Sequence, residues 1–286
     1  MFVIIGIVVV FVTVFGGFFI AAHFNMAAIA FFLHPQEYII IGGATIGSML
    51  IANPMSLNMK IIQGVLGTFK GATITKQSYL DLLKLLYELF QFAKREGLIA
   101  LEQHIENPDQ SSIISKYPSF LANHHAVDFL CDTLKVVLSG GVPAHELEEL
   151  MQLDLENLHE EEHHAPAALT VVGDALPGLG IVAAVLGIIV TMLVISEGAE
   201  TVGQKVGGAL VGTFMGVLLA YGFVGPLARN MERNVQKEAK YLECIKASLL
   251  AFAKSMPPTV AVEYGRRAID PENRPSFKET EENIKS

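Results

Sequence analysis

The residues of this chain that could do chemistry lie in two long apolar stretches, Ala167 to about Ile195 and about Val206 to Ala228. These stretches contain one acid, Asp174, and in the second stretch an isolated hydroxyl group, that of Thr213. An ionisable side chain inside an apolar stretch marks an ion or proton path by default. Neither stretch has a charged residue in its middle. If an ion passes along them, a second protein must therefore supply the ionisable carrier.

Asp174 and Thr213 each have two interpretations. Asp174 lies three residues before Pro177, so it is either the cap of a local helix start, which is favoured, or an intramembrane carboxylate with a functional role. The Thr213 hydroxyl either bonds to the carbonyl oxygen four residues earlier or lines a path and contacts a passing ion.

Pro177 interrupts the hydrogen bonding of a helix in the first stretch. A proline removes one backbone donor and clashes with the carbonyl group four residues earlier, here that of Gly173. The result is either a static kink or a hinge that couples events in the membrane to the rest of the protein. Pro226 occupies a comparable place near the end of the second stretch.

Small residues recur every four positions in the apolar stretches. This spacing lets helix backbones approach closely and favours a multi-helix, oligomeric assembly. The positions are Gly208, Gly212, Gly216 and Ala220 in the last stretch, Gly180 and Ala184 in the one before it, and Gly43 with Gly47 nearer the N-terminus.

Residues 144–162 are expected to form a strongly acidic helix that leads to Pro166 and the third span. Histidines and acids cluster at His159–His164, and His124–His125 form a second pair. No third ligand follows at dependable spacing, so a solvated face is favoured over a metal site. Cys131 and Cys244 lack paired spacing and are expected to be free thiols. Phosphate loops, nucleophile motifs and basic nucleic-acid-binding patterns are missing from the sequence. We therefore expect neither an enzyme nor a nucleic-acid-binding protein, and no cofactor.

Composition predicts an all-α integral membrane protein. Half of the 286 residues are hydrophobic (51%), and the mean hydropathy is +0.44. Besides the two stretches above, Met1–Ala22 and Tyr38–Asn53 are apolar, although the latter is short unless Phe31–Leu33 extend it. We expect four transmembrane helices, a large helical cytoplasmic domain between helices 2 and 3, and a cytoplasmic C-terminal helix. The divisions are 1–53 (helices 1 and 2), 54–166 (cytoplasmic domain), 167–228 (helices 3 and 4) and 229–286 (C-terminal helix and tail).

Lysine and arginine set the expected orientation. They are concentrated between spans two and three and after span four, whereas the two short, outward-facing connections at residues 23–37 and 196–205 offer only Lys205. Positive loops stay in the cytoplasm, so both termini are expected there. The final segment, Asp270–Ser286, has few apolar residues and is expected to be mobile.

Several motifs together resemble the MotA/PomA family of flagellar motor stator proteins, which is related to the ExbB/TolQ proton channels. They are Gly173–Gly187 (GDALPGLGIVAAVLG), Ala209–Gly222 (ALVGTFMGVLLAYG), Ala100–Pro108 (ALEQHIENP), Val260–Arg266 (VAVEYGR) and Arg274–Phe277 (RPSF). The resemblance covers essentially the whole chain.

The resemblance implies a homo-oligomer, a pentamer, around two copies of a MotB-type subunit in the bacterial inner membrane. The MotB-type subunit would supply the proton-binding aspartate, and ion flow would generate torque on the rotor protein FliG for motility and chemotaxis. By motif match, Pro177 and Pro226 are the coupling prolines. Lys94, Arg95 and Glu102 are the rotor-contacting charges.

The resemblance also bears on the ion. Sodium-driven relatives of the PomA type carry threonines at the positions of Ala184 and Gly212, and a hard cation such as sodium needs several oxygen ligands. Their loss favours protons. The alternatives are a sodium-driven stator, an ExbB/TolQ-like channel that energises another partner, and a membrane scaffold without ion flow.

Overall fold

The computed structural model describes residues 2–24, 32, 35–70 and 74–285. No strand occurs within these ranges, and the all-α prediction is confirmed. The helices are α1 (Phe2–Ala21), α2 (Pro35–Ala52), α3 (Met55–Lys70), α4 (Lys76–Glu96), α5 (Glu102–Glu106), α6 (Pro118–Leu121), α7 (His124–Ser139), α8 (Ala144–Met192), α9 (Ala199–Leu218), α10 (Gly225–Ala253), α11 (Pro258–Ala268) and α12 (Phe277–Lys285). A 3₁₀-helix at Leu98–Leu101 links α4 to α5, and a π-helix at Leu219–Val224 links α9 to α10.

In the described part of the chain, three helices are long and apolar enough to cross a membrane: α1, α8 and the continuous helix from Ala199 to Ala253. Helix α2 is not among them. It has 18 residues, and its first turn, Pro35-Gln36-Glu37, is polar and lowers its mean hydropathy. Phe31 and Leu33, which would extend this span, lie outside the described residues.

The chain divides into two compact units, which are interleaved along the sequence. The first unit comprises residues 1–71 and 162–233, and the second comprises residues 72–161 and 234–286. The divisions that we expected from the sequence fall after residues 53, 166 and 228. The main difference is α3, which packs with the apolar helices of the first unit.

Helix α8 is one helix of 49 residues and continues through both Pro166 and Pro177. From the sequence we expected an acidic helix at residues 144–162 and a separate span beyond Pro166. That division is wrong, because a single lost backbone bond does not end a helix whose neighbouring turns remain hydrogen-bonded.

The second unit has its own hydrophobic core around α4. Leu82, Leu86 and Phe90 of α4 are fully buried, and the Phe90 ring stacks on Phe252 of α10 at 4.3 Å between ring centroids. The amphipathic spacing of leucines in α4 explains why one face of this helix is buried and the other solvated.

The expectation that the C-terminal segment is mobile is wrong for residues 270–285. Helix α12 contacts α4, where Lys76 Nζ donates to Glu279 Oε1 at 2.6 Å and Asn283 Nδ2 donates to the Leu80 carbonyl oxygen at 2.9 Å. Upstream, Arg266 Nη1 donates to the Pro275 carbonyl oxygen at 2.9 Å. Polar contacts therefore order a segment with few apolar residues.

Candidate functional site

Helices α8 and α9 pack backbone against backbone at a glycine contact. A Cβ atom placed on Gly180 would lie 2.7 Å from the carbonyl oxygen of Gly212 and 3.1 Å from the Cα of Gly216. One placed on Gly216 would lie 2.6 Å from the carbonyl oxygen of Leu176. These distances are shorter than van der Waals contact, so only glycine fits at these two positions. Gly208, which continues the pattern, is also buried.

Two positions that bear on ion type face each other in this contact. A Cβ on Gly212 would lie 3.2 Å from the backbone nitrogen of Ala184 and 3.1 Å from the Cβ of Ala183. Ala184 is buried, and Thr213 is half-buried with its Cα 3.3 Å from the Cβ position of Gly180. The structure thus brings Ala184, Gly212 and Thr213 together, with Thr213 as the one side-chain oxygen among these three residues.

A buried acid, Glu37, lies close to the same pair of helices. It belongs to the first turn of α2, and its side chain is almost completely buried. Its Oε1 lies 3.8 Å from the Cβ position of Gly187, and its Oε2 has no hydrogen-bond partner. Glu37 was not predicted as a site residue, because it was assigned to the short outward-facing connection between the first two spans.

The two prolines lie beside two irregular stretches of backbone. The carbonyl group of Gly173 lacks its usual helical donor, because Pro177 has no N–H group. Gly173 packs against the π-helix: a Cβ atom placed on it would lie 3.3 Å from Val224 Cγ1. In the π-helix, the Gly225 N–H donates to the carbonyl oxygen of Ala220, five residues earlier. Pro226 follows directly. A widened turn moves the Gly222 carbonyl group away from the proline ring, which accounts for the π-helix at this point.

Asp174 is exposed in the interior of α8, and Pro177 is partly buried. The interpretation of Asp174 as a helix cap is wrong, because α8 begins thirty residues earlier, at Ala144. Its carboxylate lies outside the glycine contact.

Ion pairs tie three helices together near the ends of these spans. His163 Nε2 of α8 lies 3.1 Å from Glu232 Oε2 of α10, and Lys60 Nζ of α3 lies 3.7 Å from Glu162 Oε1. No group of three or more potential metal ligands occurs among the described residues, the His159–His164 cluster included.

The three charges assigned to rotor contact lie around one turn of the second unit. Lys94 and Arg95 are exposed in the last turn of α4, and Glu102 is exposed at the start of α5. Gly97 ends α4 at φ 90°, a conformation that favours glycine. Beyond it Ile99 is 80% exposed, although Leu101 is fully buried. An apolar side chain therefore projects into solvent between the charges.

A buried histidine of α5, His104, forms hydrogen bonds next to this turn. Ser111 Oγ accepts the backbone N–H groups of Ile113 and Ile114 at 3.2 and 3.0 Å, so its own hydrogen points to His104 Nδ1 at 2.8 Å. Burial lowers the pKa of His104, which favours the neutral form of its imidazole ring.

The Val260–Arg266 and Arg274–Phe277 motifs form a structural clamp in the second unit. Arg266 donates to both oxygens of Glu263, at 2.7 and 2.8 Å, and Arg267 adds a further bond to the same carboxylate. The hydrogen bonds from Arg266 lower the pKa of Glu263 to about 2. The thiols of Cys131 and Cys244 are buried and free, as predicted.

Two family models match the chain. Residues 4–97 match "Motility protein A N-terminal", and residues 122–244 match the "MotA/TolQ/ExbB proton channel family". The chain is 38% identical to Motility protein A of Salmonella typhimurium over 100% of its own length and 96% of the relative's. It is 36% identical to Chemotaxis protein LafT of Vibrio parahaemolyticus, over 97% of its own length and 96% of the relative's.

Solved structures share the fold. The structure of C. jejuni MotAB matches with a TM-score of 0.76 at 19% identity, over 96% of this chain and 98% of that one. The flagellar MotAB stator complex from Bacillus subtilis matches with a TM-score of 0.70 at 24% identity, over 91% and 92% of the two chains.

Long apolar helices joined by a glycine contact, together with the second family model, define a membrane subunit of the MotA/TolQ/ExbB proton channel class. Within that class, the sequence identity of 38% to a motility protein A over the full length of the chain assigns the family. The chain belongs to the motility protein A family, whose members are stator subunits of the flagellar motor and not enzymes.

Proposed function

We propose that this chain forms a pentameric ring in the bacterial inner membrane, around two copies of a MotB-type subunit, and conducts protons to generate torque on FliG. The observation that carries the proposal is the glycine contact of α8 and α9. Its packed segments, Leu176–Met192 and Gly208–Leu218, contain no acid or base. The carboxylate of this chain that lies beside the contact, that of Glu37, is almost completely buried. We therefore assign the proton-binding carboxylate to an aspartate of the MotB-type subunit.

Four spans serve this arrangement: α1, α2, the part of α8 after Glu162, and α9 with the π-helix. Helix α2 has 18 residues, about 27 Å of helix, which is close to the thickness of a hydrocarbon core. The lysines and arginines that follow α2 and α10 favour a cytoplasmic second unit and cytoplasmic termini.

The transported ion is the proton. Ala184 and Gly212 offer no side-chain oxygen, and a threonine at Gly212 would meet Ala183 and the Ala184 backbone. A sodium ion requires several oxygen ligands, whereas a proton requires one carboxylate and a chain of water molecules. This contact therefore supports proton use over the sodium-driven alternative, and it leaves Thr213 as the hydroxyl along the path.

Torque arises when protonation of the partner's aspartate removes its charge and lets it approach α8 and α9. One elementary charge crossing about 100 mV releases about 2.3 kcal/mol, which is several times the thermal energy. Pro177 and Pro226, beside the irregular backbone of Gly173 and the π-helix, are the points at which the spans respond. Lys94, Arg95 and Glu102 then act on charges of the rotor protein.

The decisive experiment measures rotation of tethered cells that contain only this stator. External sodium is replaced by potassium at constant pH, and the proton-motive force is then lowered with a protonophore. We expect speed to ignore sodium and to fall with the proton-motive force. Speed that scales with sodium at fixed pH would refute proton use. Deletion of the gene should abolish swimming but leave filaments assembled; normal swimming after deletion would favour an ExbB/TolQ-like role.

Two sets of variants test the coupling residues. Pro177→Ala should leave the complex assembled but its motor weak or stalled, and normal torque in that variant would end the hinge hypothesis. Charge reversal at Lys94 or Glu102 should weaken rotor docking and be partly rescued by opposite reversals in FliG. If the combined reversals behave like the single ones, the contact is not electrostatic.

A further inference from the structure

An ion pair between a histidine and an acid joins two helices of the first unit. His163 Nε2 of α8 lies 3.1 Å from Glu232 Oε2 of α10. Both helices also extend into the second unit, since the division between the units falls between residues 161 and 162 in α8 and between residues 233 and 234 in α10. The pair therefore joins α8 to α10 within the first unit, next to the point at which each helix crosses the division.

Apolar packing lies directly beside this pair. Ala165 of α8 and Ala228 and Met231 of α10 belong to one buried cluster. The side chains of His163 and Glu232 are themselves 47% and 30% exposed. An ion pair with this exposure changes an equilibrium constant by about twofold to fivefold, which is enough to bias a small movement of one helix against another.

The use of histidine distinguishes this pair from other ion pairs between helices of this chain. Lys60 pairs with Glu162, and Lys76 pairs with Glu279, through a lysine whose charge is constant near neutral pH. A histidine changes its charge between about pH 5 and 8. When it is protonated, the His163 ring makes a charge-assisted contact with the carboxylate, whereas the neutral ring makes at most an ordinary hydrogen bond. The attraction is therefore present at low pH and is lost as the pH rises through the titration of the ring.

The other titratable groups around the pair come from three helices. They are His159, Glu160, Glu162 and His164 of α8, Lys60 of α3, and Arg229 and Arg233 of α10. Lysine and arginine remain protonated, and glutamate remains ionised, over the range in which histidine titrates. Three histidines can therefore change the charge of this region, and the variants below separate His163 from the other two.

We propose that His163 and Glu232 form a link between α8 and α10 that closes when cytoplasmic protons charge His163 and loosens as the cytoplasmic pH rises. The inference rests on the proposed function, which places this end of α8 on the cytoplasmic side. Pro177 and Pro226 lie on these same two helices, so the closed link makes the helices respond together to events in the membrane. Both members of the link are positioning residues, because they act through the helices and not on the transported proton.

The first test measures amide hydrogen exchange of the full chain, assembled with its MotB-type partner in nanodiscs. Exchange is compared at about pH 6 and about pH 8, after correction for the intrinsic effect of pH on the exchange rate. Peptides that cover residues 160–170 and 226–236 report local opening of this contact. We expect His163→Gln and Glu232→Gln to speed this exchange about twofold to fivefold at the lower pH. At the higher pH both variants should exchange like the unmutated complex, in which the link is already loose.

A conservative variant and three controls separate the role of charge from that of structure. His163→Lys keeps a positive charge at both pH values, so its exchange should stay slow at both. His159→Gln, His164→Gln and His125→Gln, the last an exposed histidine of α7, should leave the pH dependence of these peptides unchanged.

Three results of this exchange experiment would overturn the inference. If His163→Gln exchanges like the unmutated complex at the lower pH, the pair does not hold the helices together. If it speeds exchange equally at both pH values, protons do not control the link. If the pH dependence persists in His163→Lys, or disappears in His159→Gln or His164→Gln, a different group causes it.

The second test measures the stall torque of single motors in cells. External pH is fixed while a membrane-permeant weak acid sets the cytoplasmic pH, and the unmutated motor is compared with His163→Lys so that changes in the proton-motive force cancel in the ratio. We expect this torque ratio to be near one in an acidified cytoplasm and to fall by about twofold as the cytoplasm becomes alkaline. A ratio that stays constant at every cytoplasmic and external pH would overturn the inference alone. A ratio that follows external pH instead would overturn it together with the topology of the proposed function.

Discussion

The replacement Gly216→Ala tests whether the contact of α8 and α9 holds the spans together. The added Cβ would lie 2.6 Å from the Leu176 carbonyl oxygen and 2.9 Å from the Cα of Gly180. Both atoms belong to the backbone, so a change of side-chain rotamer cannot relieve the clash. Restoring ordinary contact at 3.4 Å requires the helices to separate locally by about 0.8 Å.

Two opposing terms set the size of the effect. Overpacking of this kind costs about 1 to 3 kcal/mol. Replacing glycine by alanine inside a helix returns about 0.5 to 1 kcal/mol. From the midpoints of these two ranges, we expect a net loss of about 1.25 kcal/mol per chain. The matched control is Gly6→Ala in α1, where nothing lies within 4 Å of the new Cβ and only the favourable term applies.

Thermal unfolding of the purified complex in nanodiscs measures the difference. Gly216→Ala should lower the Tm by about 3 to 6 °C, and Gly6→Ala should leave it unchanged or raise it slightly. A Tm for Gly216→Ala equal to or above that of the control would refute the close contact, since it would show that the helices have space at this position.

Three further predictions concern the second unit. Ile99→Ser should change the free energy of unfolding by less than about 0.5 kcal/mol, because the side chain is 80% exposed, yet it should lower the stall torque of single motors; unchanged torque would remove Ile99 from the rotor surface. Deletion of residues 277–286 removes the bonds of Glu279 and Asn283 to α4 and should cost about 1 kcal/mol in denaturant unfolding, the net contribution of the Asn283 bond; an unchanged midpoint would show that α12 does not stabilise the second unit. Because burial lowers the pKa of His104, its contribution to stability is present above pH about 6.5 and is lost as the pH falls from there towards the lowered value. His104→Gln should flatten this part of the stability profile, and an identical profile in that variant would show that His104 does not cause it.

Periodicity predicted which helix faces carry small residues, but it did not identify their partners. The four-residue spacing in α9 corresponds to a real backbone contact at Gly212 and Gly216. The same spacing at Gly43 and Gly47 makes none, because no atom of the described chain lies within 4 Å of a Cβ at either position. Spacing specifies a face of a helix, whereas contact depends on where the other helices lie.

Proline and composition rules were less successful, for a related reason. The acidic helix of residues 144–162 was expected to end before Pro166, but α8 continues through this proline because it removes only one backbone hydrogen bond. The tail was expected to be mobile, but its order depends on polar partners such as Lys76, which lies 203 residues from Glu279. Partners this distant leave no local pattern in the sequence.

Glu37 and the π-helix illustrate what local signals can miss. An acid two residues after a proline at the start of a span resembles an ordinary helix start, and nothing in the sequence shows that other helices bury it. For the π-helix a signal existed: Gly222 lies four residues before Pro226, so the backbone could deform without a side-chain clash.

The order of synthesis has a consequence for the core of the second unit. Phe90 of α4 is buried partly by Phe252, and α11 and α12 complete the cover. The ribosome must add 162 residues after Phe90 before Phe252 exists, which takes about 10 to 30 s at typical elongation rates. During this interval two apolar spans enter the bilayer, and the part of α4 that Phe252, α11 and α12 later cover stays exposed. Newly made chains therefore expose apolar surface until translation is nearly finished. A chain that terminates early keeps this surface exposed, and chaperones and proteases recognise such fragments.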